Sequence, residues 1–161
     1  MGKRISIEKS VVINATAEQV FAFISNGSND PRWRTEVDRM DVQGPTEPGT
    51  QMVEYSTFFR WFHTVTPTVI ETLQSPTRFV LQTPDTHPDW LRSTRTVEPV
   101  DSQTSRFVYR LEFDLSTMKQ ISPVVPPAAA VRPLYVRRIK RYLGNARRLI
   151  ETSDAAPRYA A

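Results

Sequence analysis

The sequence predicts an α+β fold in which an antiparallel sheet of seven strands lies against one long C-terminal helix. Three observations carry this. Residues 131–151, VRPLYVRRIKRYLGNARRLIE, place Tyr135, Ile139, Tyr142, Leu143, Ala146, Leu149 and Ile150 at three- and four-residue steps, which puts them on one side of a helix. Arg137, Lys140, Arg141, Arg147 and Arg148 fall on the opposite arc, with Arg138 at the boundary, so one face seeks a core and the other water. No second long helix is visible, and the middle of the chain reads as short strands separated by proline and glycine, so the helix needs a sheet to lie on.

Taken in order, Ile5 to Asn14 is rich in β-branched residues in rough alternation and reads as a first strand. Thr16-Ala17-Glu18-Gln19 has the spacing of a capping box, in which the threonine hydroxyl and the glutamine side chain satisfy each other's free amides. The stripe Val20, Phe21, Ile24 then predicts a short helix. Asn26-Gly27 is expected to stop it, because both residues tolerate a left-handed backbone. Asn29-Asp30-Pro31 opens a second short helix, with Asp30 as its cap, that carries Trp33.

Six further strands are expected over residues 37–43, 51–62, 65–73, 79–82, 91–97 and 106–115. Their short connections imply antiparallel neighbours. The last is the clearest, with Phe107, Tyr109, Leu111, Phe113 and Leu115 on one face and Arg106, Arg110, Glu112 and Asp114 on the other. Residues 116–130 form a proline- and alanine-rich connector that reads either as an extended arm or as a broken helical turn. Pro133 is best placed in a first turn, so the long helix is expected to begin near Arg132. Residues 1–152 are read as one domain and 153–161 as a flexible tail.

The totals narrow the function. The 161 residues are 39% apolar and 24% charged, an ordinary composition for a globular domain with a core. There is no cysteine, hence no disulfide, no thiolate nucleophile and no cysteine metal site. His63 and His87 have no carboxylates at ligand spacing, so neither metal nor cofactor is expected. No signal-like or membrane-spanning apolar stretch occurs, which points to the cytoplasm. Seven basic residues lie between Arg132 and Arg148 within a net charge of +4, yet no stacking or groove-reading motif accompanies them, which argues against nucleic acid.

Strand, helix, short helix, six strands and long helix is the helix-grip order. VVINATAEQVFAFISNGSNDPRW resembles the opening of the polyketide cyclase/dehydrase-like proteins, of the START and birch-pollen-allergen superfamily, through Val20, Phe21, Ile24, Pro31 and Trp33. Pro48-Gly49-Thr50, and Val69-Ile70-Glu71 to Pro76-Thr77-Arg78, are similar to that family's later turns. The resemblance spans about residues 5–151. It implies a sheet curved around the C-terminal helix over an apolar cavity, in which members bind lipids, sterols, polyketides or hormones and some act as cyclases or dehydratases. It also places Trp33 near the cavity entrance.

Strand parity supplies the candidate cavity residues. Arg95 shares a parity with Leu91 and Val97, so it points inward to a ligand carboxylate or enolate oxygen, or else pairs with an acid. Tyr109 either hydrogen-bonds a ligand or packs in the core. In the run YSTFFRWFH, Tyr55, Phe59 and Trp61 share one parity and Phe58 and Phe62 the other, so both faces are apolar and either could line the cavity. The second face is then covered by the connector or by a homodimer contact. The expected ligand-binding set is Trp33, Tyr55, Phe59, Trp61, Arg95, Tyr109 and Phe113.

No catalytic set is recognisable. Glu54, Glu71 and Glu98 lie on different strands, and there is no nucleophile elbow or phosphate loop. The leading expectation is a binding protein for a hydrophobic small molecule or lipid. A cyclase or dehydratase using Arg95 or Tyr109 is one alternative, and a protein- or membrane-surface interaction module is the other.

Overall fold

The computed structural model describes residues 3–152, so the expected tail at 153–161 lies outside the described residues. Seven strands form one antiparallel sheet: β1 (Arg4–Ile13), β2 (Val37–Val42), β3 (Gln51–Phe58), β4 (Phe62–Gln74), β5 (Arg78–Gln82), β6 (Leu91–Pro99) and β7 (Ser105–Asp114). The helices are α1 (Ala17–Ile24), α2 (Asp30–Trp33) and α3 (Ala128–Glu151). The strand order is β1-β7-β6-β5-β4-β3-β2. Consecutive strands from β2 to β7 are hairpin neighbours, whereas β1 and β2 sit at opposite edges with α1 and α2 bridging between them. This is the helix-grip arrangement that the element order predicts.

The period-two pattern of β7 appears directly as burial, with Ser105, Phe107, Tyr109, Leu111 and Phe113 buried and the residues between them more open. Register carries the same face across the sheet. Ile5 lies opposite Phe113, Ile7 opposite Leu111, and Arg95 opposite Tyr109. One continuous inner face results, and α3 covers it with Ile139, Tyr142, Leu143, Ala146, Leu149 and Ile150. Trp33, Phe107, Tyr109 and Tyr142 interlock edge to face beneath the second half of α3, with ring centres 5.8–6.4 Å apart.

Local signals behave largely as their chemistry dictates. The Thr16 hydroxyl accepts from Gln19 N–H at 3.2 Å and the Gln19 side chain accepts from Thr16 N–H at 3.0 Å, closing the capping box. Other expectations are corrected. α1 ends at Ser25 in a right-handed conformation, and Gly27 is needed for space rather than for a left-handed backbone. A Cβ there would stand 3.1 Å from Met52 Sδ and 3.2 Å from Val42 Cγ2.

α3 begins at Ala128, four residues before the expected start, and Pro133 lies inside it. Three alanines carry the helix upstream at low conformational cost, and Pro133 removes one hydrogen bond. The connector is a 3-10 turn at Leu115–Gln120, with Leu115 and Met118 buried, followed by irregular chain.

The expected long strand 51–62 is two strands joined by a hairpin. Phe59 and Arg60 occupy its tip, and Trp61 N–H donates to Phe58 O at 3.3 Å.

Candidate functional site

The inner face holds a buried ion cluster beside a hollow. Asp30 and Arg95 are both fully buried; Arg95 Nη1 donates to Asp30 Oδ1 at 2.9 Å and to Ile24 O at 2.6 Å, and Nη2 donates to Asp30 Oδ2. Arg34, one helical turn beyond Asp30, donates to Oδ2 of the same carboxylate at 3.0 Å. It also reaches Glu54 on β3, with Nη1 and Nη2 at 2.7 and 3.2 Å. Ser56 Oγ donates to Glu54 at 2.8 Å.

A second group sits under α3. Arg138 Nε donates to Glu36 at 3.0 Å, and the Tyr142 hydroxyl donates to the other oxygen of the same carboxylate. Three carboxylates thus face three buried guanidiniums, so the interior carries paired charge.

These pairs set the protonation of the site. Burial works against the Arg34 charge, but Glu54, with the nearby Tyr109 phenol and Asp30, outweighs it and holds its pKa well above the ordinary arginine value. Burial pushes the phenols of Tyr142 and Tyr135 up from the ordinary tyrosine value. Both remain neutral donors at physiological pH.

The hollow lies beneath the first half of α3 and the 3-10 turn that precedes it. Phe58, Leu91, Leu111, Phe113, Met118, Ile121 and Tyr135 form its apolar wall. Arg34, Glu54, Thr64 and Thr66 face it from the end of α2, β3 and β4, while Thr83, His87, Asp89 and Gln120 stand among its other polar lining residues. The cavity volume is about 80 Å3, and all the space between its walls, open solvent at the mouth included, is about 680 Å3. His87 Nδ1 lies 2.8 Å from Asp89 O, and Gln120 Nε2 donates to the Asp89 side chain at 2.6 Å, so the β5–β6 loop is tied to the connector. Several polar atoms nearby are buried without a partner, among them Arg34 Nε, Tyr109 Oη and Ser93 Oγ.

The expected ligand set is dispersed by this geometry. Of its members, Phe113 lies on the wall of the hollow. Trp33 and Tyr109 are fully buried in the aromatic cluster, so Trp33 is a core residue and stands at no entrance. Arg95 points inward as parity requires, but its terminal nitrogens are spent on Asp30 and Ile24, because a guanidinium so deep needs a counter-charge. The same need overrides Asp30 as a helix cap. Phe59 and Trp61 are half and nearly three-quarters exposed on the hairpin tip.

Tyr55 faces away from α3, with the Arg39 guanidinium stacked 4.0 Å above its ring. The inward parity of β3 is the even one, with Met52, Glu54, Ser56 and Phe58. His63 is exposed and lies 2.9 Å from Thr57 Oγ1.

Sequence reasoning missed Arg34 and named Glu54 only as a carboxylate without a partner. Their signal was faint: the four-residue spacing of Asp30 and Arg34, and a glutamate on the apolar parity of its strand. Among the described residues no group of acids and histidines is arranged to hold a metal ion, and no helix is long and apolar enough to cross a membrane.

With the fold and hollow defined, comparison with known proteins is informative. Residues 4–151 match the sequence profile described as polyketide cyclase / dehydrase and lipid transport. The chain belongs to that family. No curated protein sequence matches it.

Solved structures share the fold. A START superfamily protein from Mycobacterium smegmatis superposes with a TM-score of 0.75 at 13% identity, covering 91% of this chain and 97% of that one. The Zhui aromatase/cyclase from Streptomyces sp. R1128 gives 0.73 at 10% identity over 98% and 100% of the two chains. A norcoclaurine synthase from Thalictrum flavum gives 0.64 at 11% over 96% and 98%. At such identities the likeness is one of fold, and function must be argued from the site.

Proposed function

We propose that this family member binds a hydrophobic small molecule or lipid in the hollow beneath the first half of α3. One observation carries the reading: the inner face is solidly packed beneath the second half of the helix, yet empty where Phe58, Leu111, Phe113 and Tyr135 converge. Apolar walls supply affinity at about 25 cal/mol per Å2 removed from water. Arg34, which lines the hollow, places a guanidinium beside it for a ligand oxygen.

The cavity volume of about 80 Å3 is well below the ~300 Å3 at which small-molecule sites begin, so a ligand larger than one ring extends out through the open mouth. Binding and transport fit this wall better than catalysis. Both Glu54 oxygens are already engaged by Arg34 and Ser56, so a proton transfer through that carboxylate has to break its ion pair. The family description names both cyclase/dehydrase activity and lipid transport, and the engaged carboxylate favours the second.

Native mass spectrometry of protein isolated without denaturation tests the proposal, paired with a Leu111→Trp variant that fills the hollow. A co-purifying organic molecule that is lost in Leu111→Trp, with the fold retained by circular dichroism, is the expected result. A molecule retained in the filled variant, or no molecule and no uptake from a fatty-acid and polyketide panel, overturns it.

A further inference from the structure

The β3–β4 hairpin breaks a local rule in full view of solvent. Phe59 and Arg60 have φ of 51° and 73°, a backbone that Asn-Gly adopts readily and that bulky residues adopt at a cost. Phe59 is 50% exposed, Trp61 72% and Phe62 39%, with Val65 exposed beside them on β4. No element among the described residues covers this tip. A sequence that keeps aromatic and basic side chains on a strained, uncovered turn gains nothing in folding from doing so, and such conflicts mark functional surface.

The neighbouring surface is cationic. Phe59 shares a shallow depression with Leu134, Arg137 and Arg141 of α3. The acid at its base, Glu36, is bound by Arg138 and Tyr142, and Asp38 nearby accepts from Thr57. Arg60 and Arg137 make no ion pair among the described residues, and Arg141 comes only to 3.9 Å from Glu36.

We propose that this tip and the adjoining face of α3 dock on an anionic lipid bilayer, with Trp61 and Phe59 inserted at the headgroup level and Arg60, Arg137 and Arg141 against acidic headgroups. At 50% and 72% exposure the two aromatics offer on the order of 300 Å2, little more than a third of what one side of a standard protein interface requires. A bilayer interface demands no shape partner and favours Trp beside basic residues. Docking also brings the hollow to the membrane, because Phe58 and Thr64, on either side of the tip, stand on its wall. The inference rests on surface residues and stands apart from ligand binding in the hollow.

Flotation with phosphatidylcholine vesicles, with and without phosphatidylserine, tests it on the ligand-free protein. Binding is expected only to the serine-lipid vesicles and to weaken with added salt. Trp61→Ala lowers the partition coefficient about tenfold, and Arg137→Glu with Arg141→Glu lowers it about thirtyfold or more. Phe59→Asn with Arg60→Gly relieves the turn, so it raises the melting temperature while weakening binding, which separates docking from misfolding. No flotation with either vesicle, equal binding to both, or a relieved turn that binds at full strength overturns the proposal, and the first of these leaves the tip to a protein partner.

Discussion

Arg95 and Asp30, 65 residues apart in the chain, meet in a fully buried ion pair at the junction of β6 and α2. Asp30 is shared with Arg34, which Glu54 also holds at 2.7 Å, so one carboxylate serves two guanidiniums. Removing a partner from a buried pair costs more than the pair itself contributes, because the remaining charge is stranded. Asp30→Ala is therefore expected to destabilise the fold by about 3–5 kcal/mol. Arg95→Met should cost less, since Arg34 still neutralises Asp30. Urea denaturation of both variants checks the ordering, and equal losses would show that Asp30 does not serve both arginines.

Tyr142 couples stability to alkaline pH. Its phenol is held above the unfolded value of about 10 by burial first, with Glu36 adding to the effect. A raised folded pKa leaves stability intact below pH 10. Stability then falls as pH rises from there through the folded pKa, because the unfolded chain releases the proton first. Between pH 10 and the folded pKa, Tyr142→Phe should flatten the decline by about 1.4 kcal/mol per pH unit. At neutral pH the same variant should lose about 1.5–3 kcal/mol with the bond to Glu36. Denaturation midpoints from pH 8 upward, with absorbance to follow phenolate, measure both effects.

Gly27 packs against Met40, Val42 and Met52 without needing a left-handed backbone. Gly27→Ala should cost about 1 kcal/mol, at the low end for overpacking, because thioether and methyl groups give way. Were Gly27 a left-handed stop instead, Gly27→Asn would be well tolerated. Here it should be worse than alanine, and thermal melts distinguish the two.

Thr16→Ala should lower stability by about 1 kcal/mol through loss of the cap on α1. Thr16→Ser should retain most of it. Comparison of the two by chemical denaturation separates the hydroxyl's bond from the methyl's packing.

Periodicity made the helical face of α3 and the inner face of β7 legible, since both depend on residues a few positions apart. The capping box was legible for the same reason. What escaped were pairings between elements distant in the chain: Arg34 with Glu54, Arg95 with Asp30, and Glu36 with Arg138. Charge on a strand shows which face it occupies but never its partner. The aromatic run 55–63 misled because alternation continues unbroken on paper through a turn. Phe59 and Trp61 share the parity of Tyr55, yet the hairpin reverses the chain between them.

From the amino acids alone came the order of elements, the covered face of each and the family resemblance, because hydrophobic periodicity and capping act over a handful of residues. Only the folded chain decided that space survives under the first half of α3 and is filled under the second. That outcome depends on where Trp33, Phe107, Tyr109 and Tyr142 meet, and on how far Arg34 must reach to find Glu54. Volume and charge pairing are sums over distant residues, and no local pattern contains them.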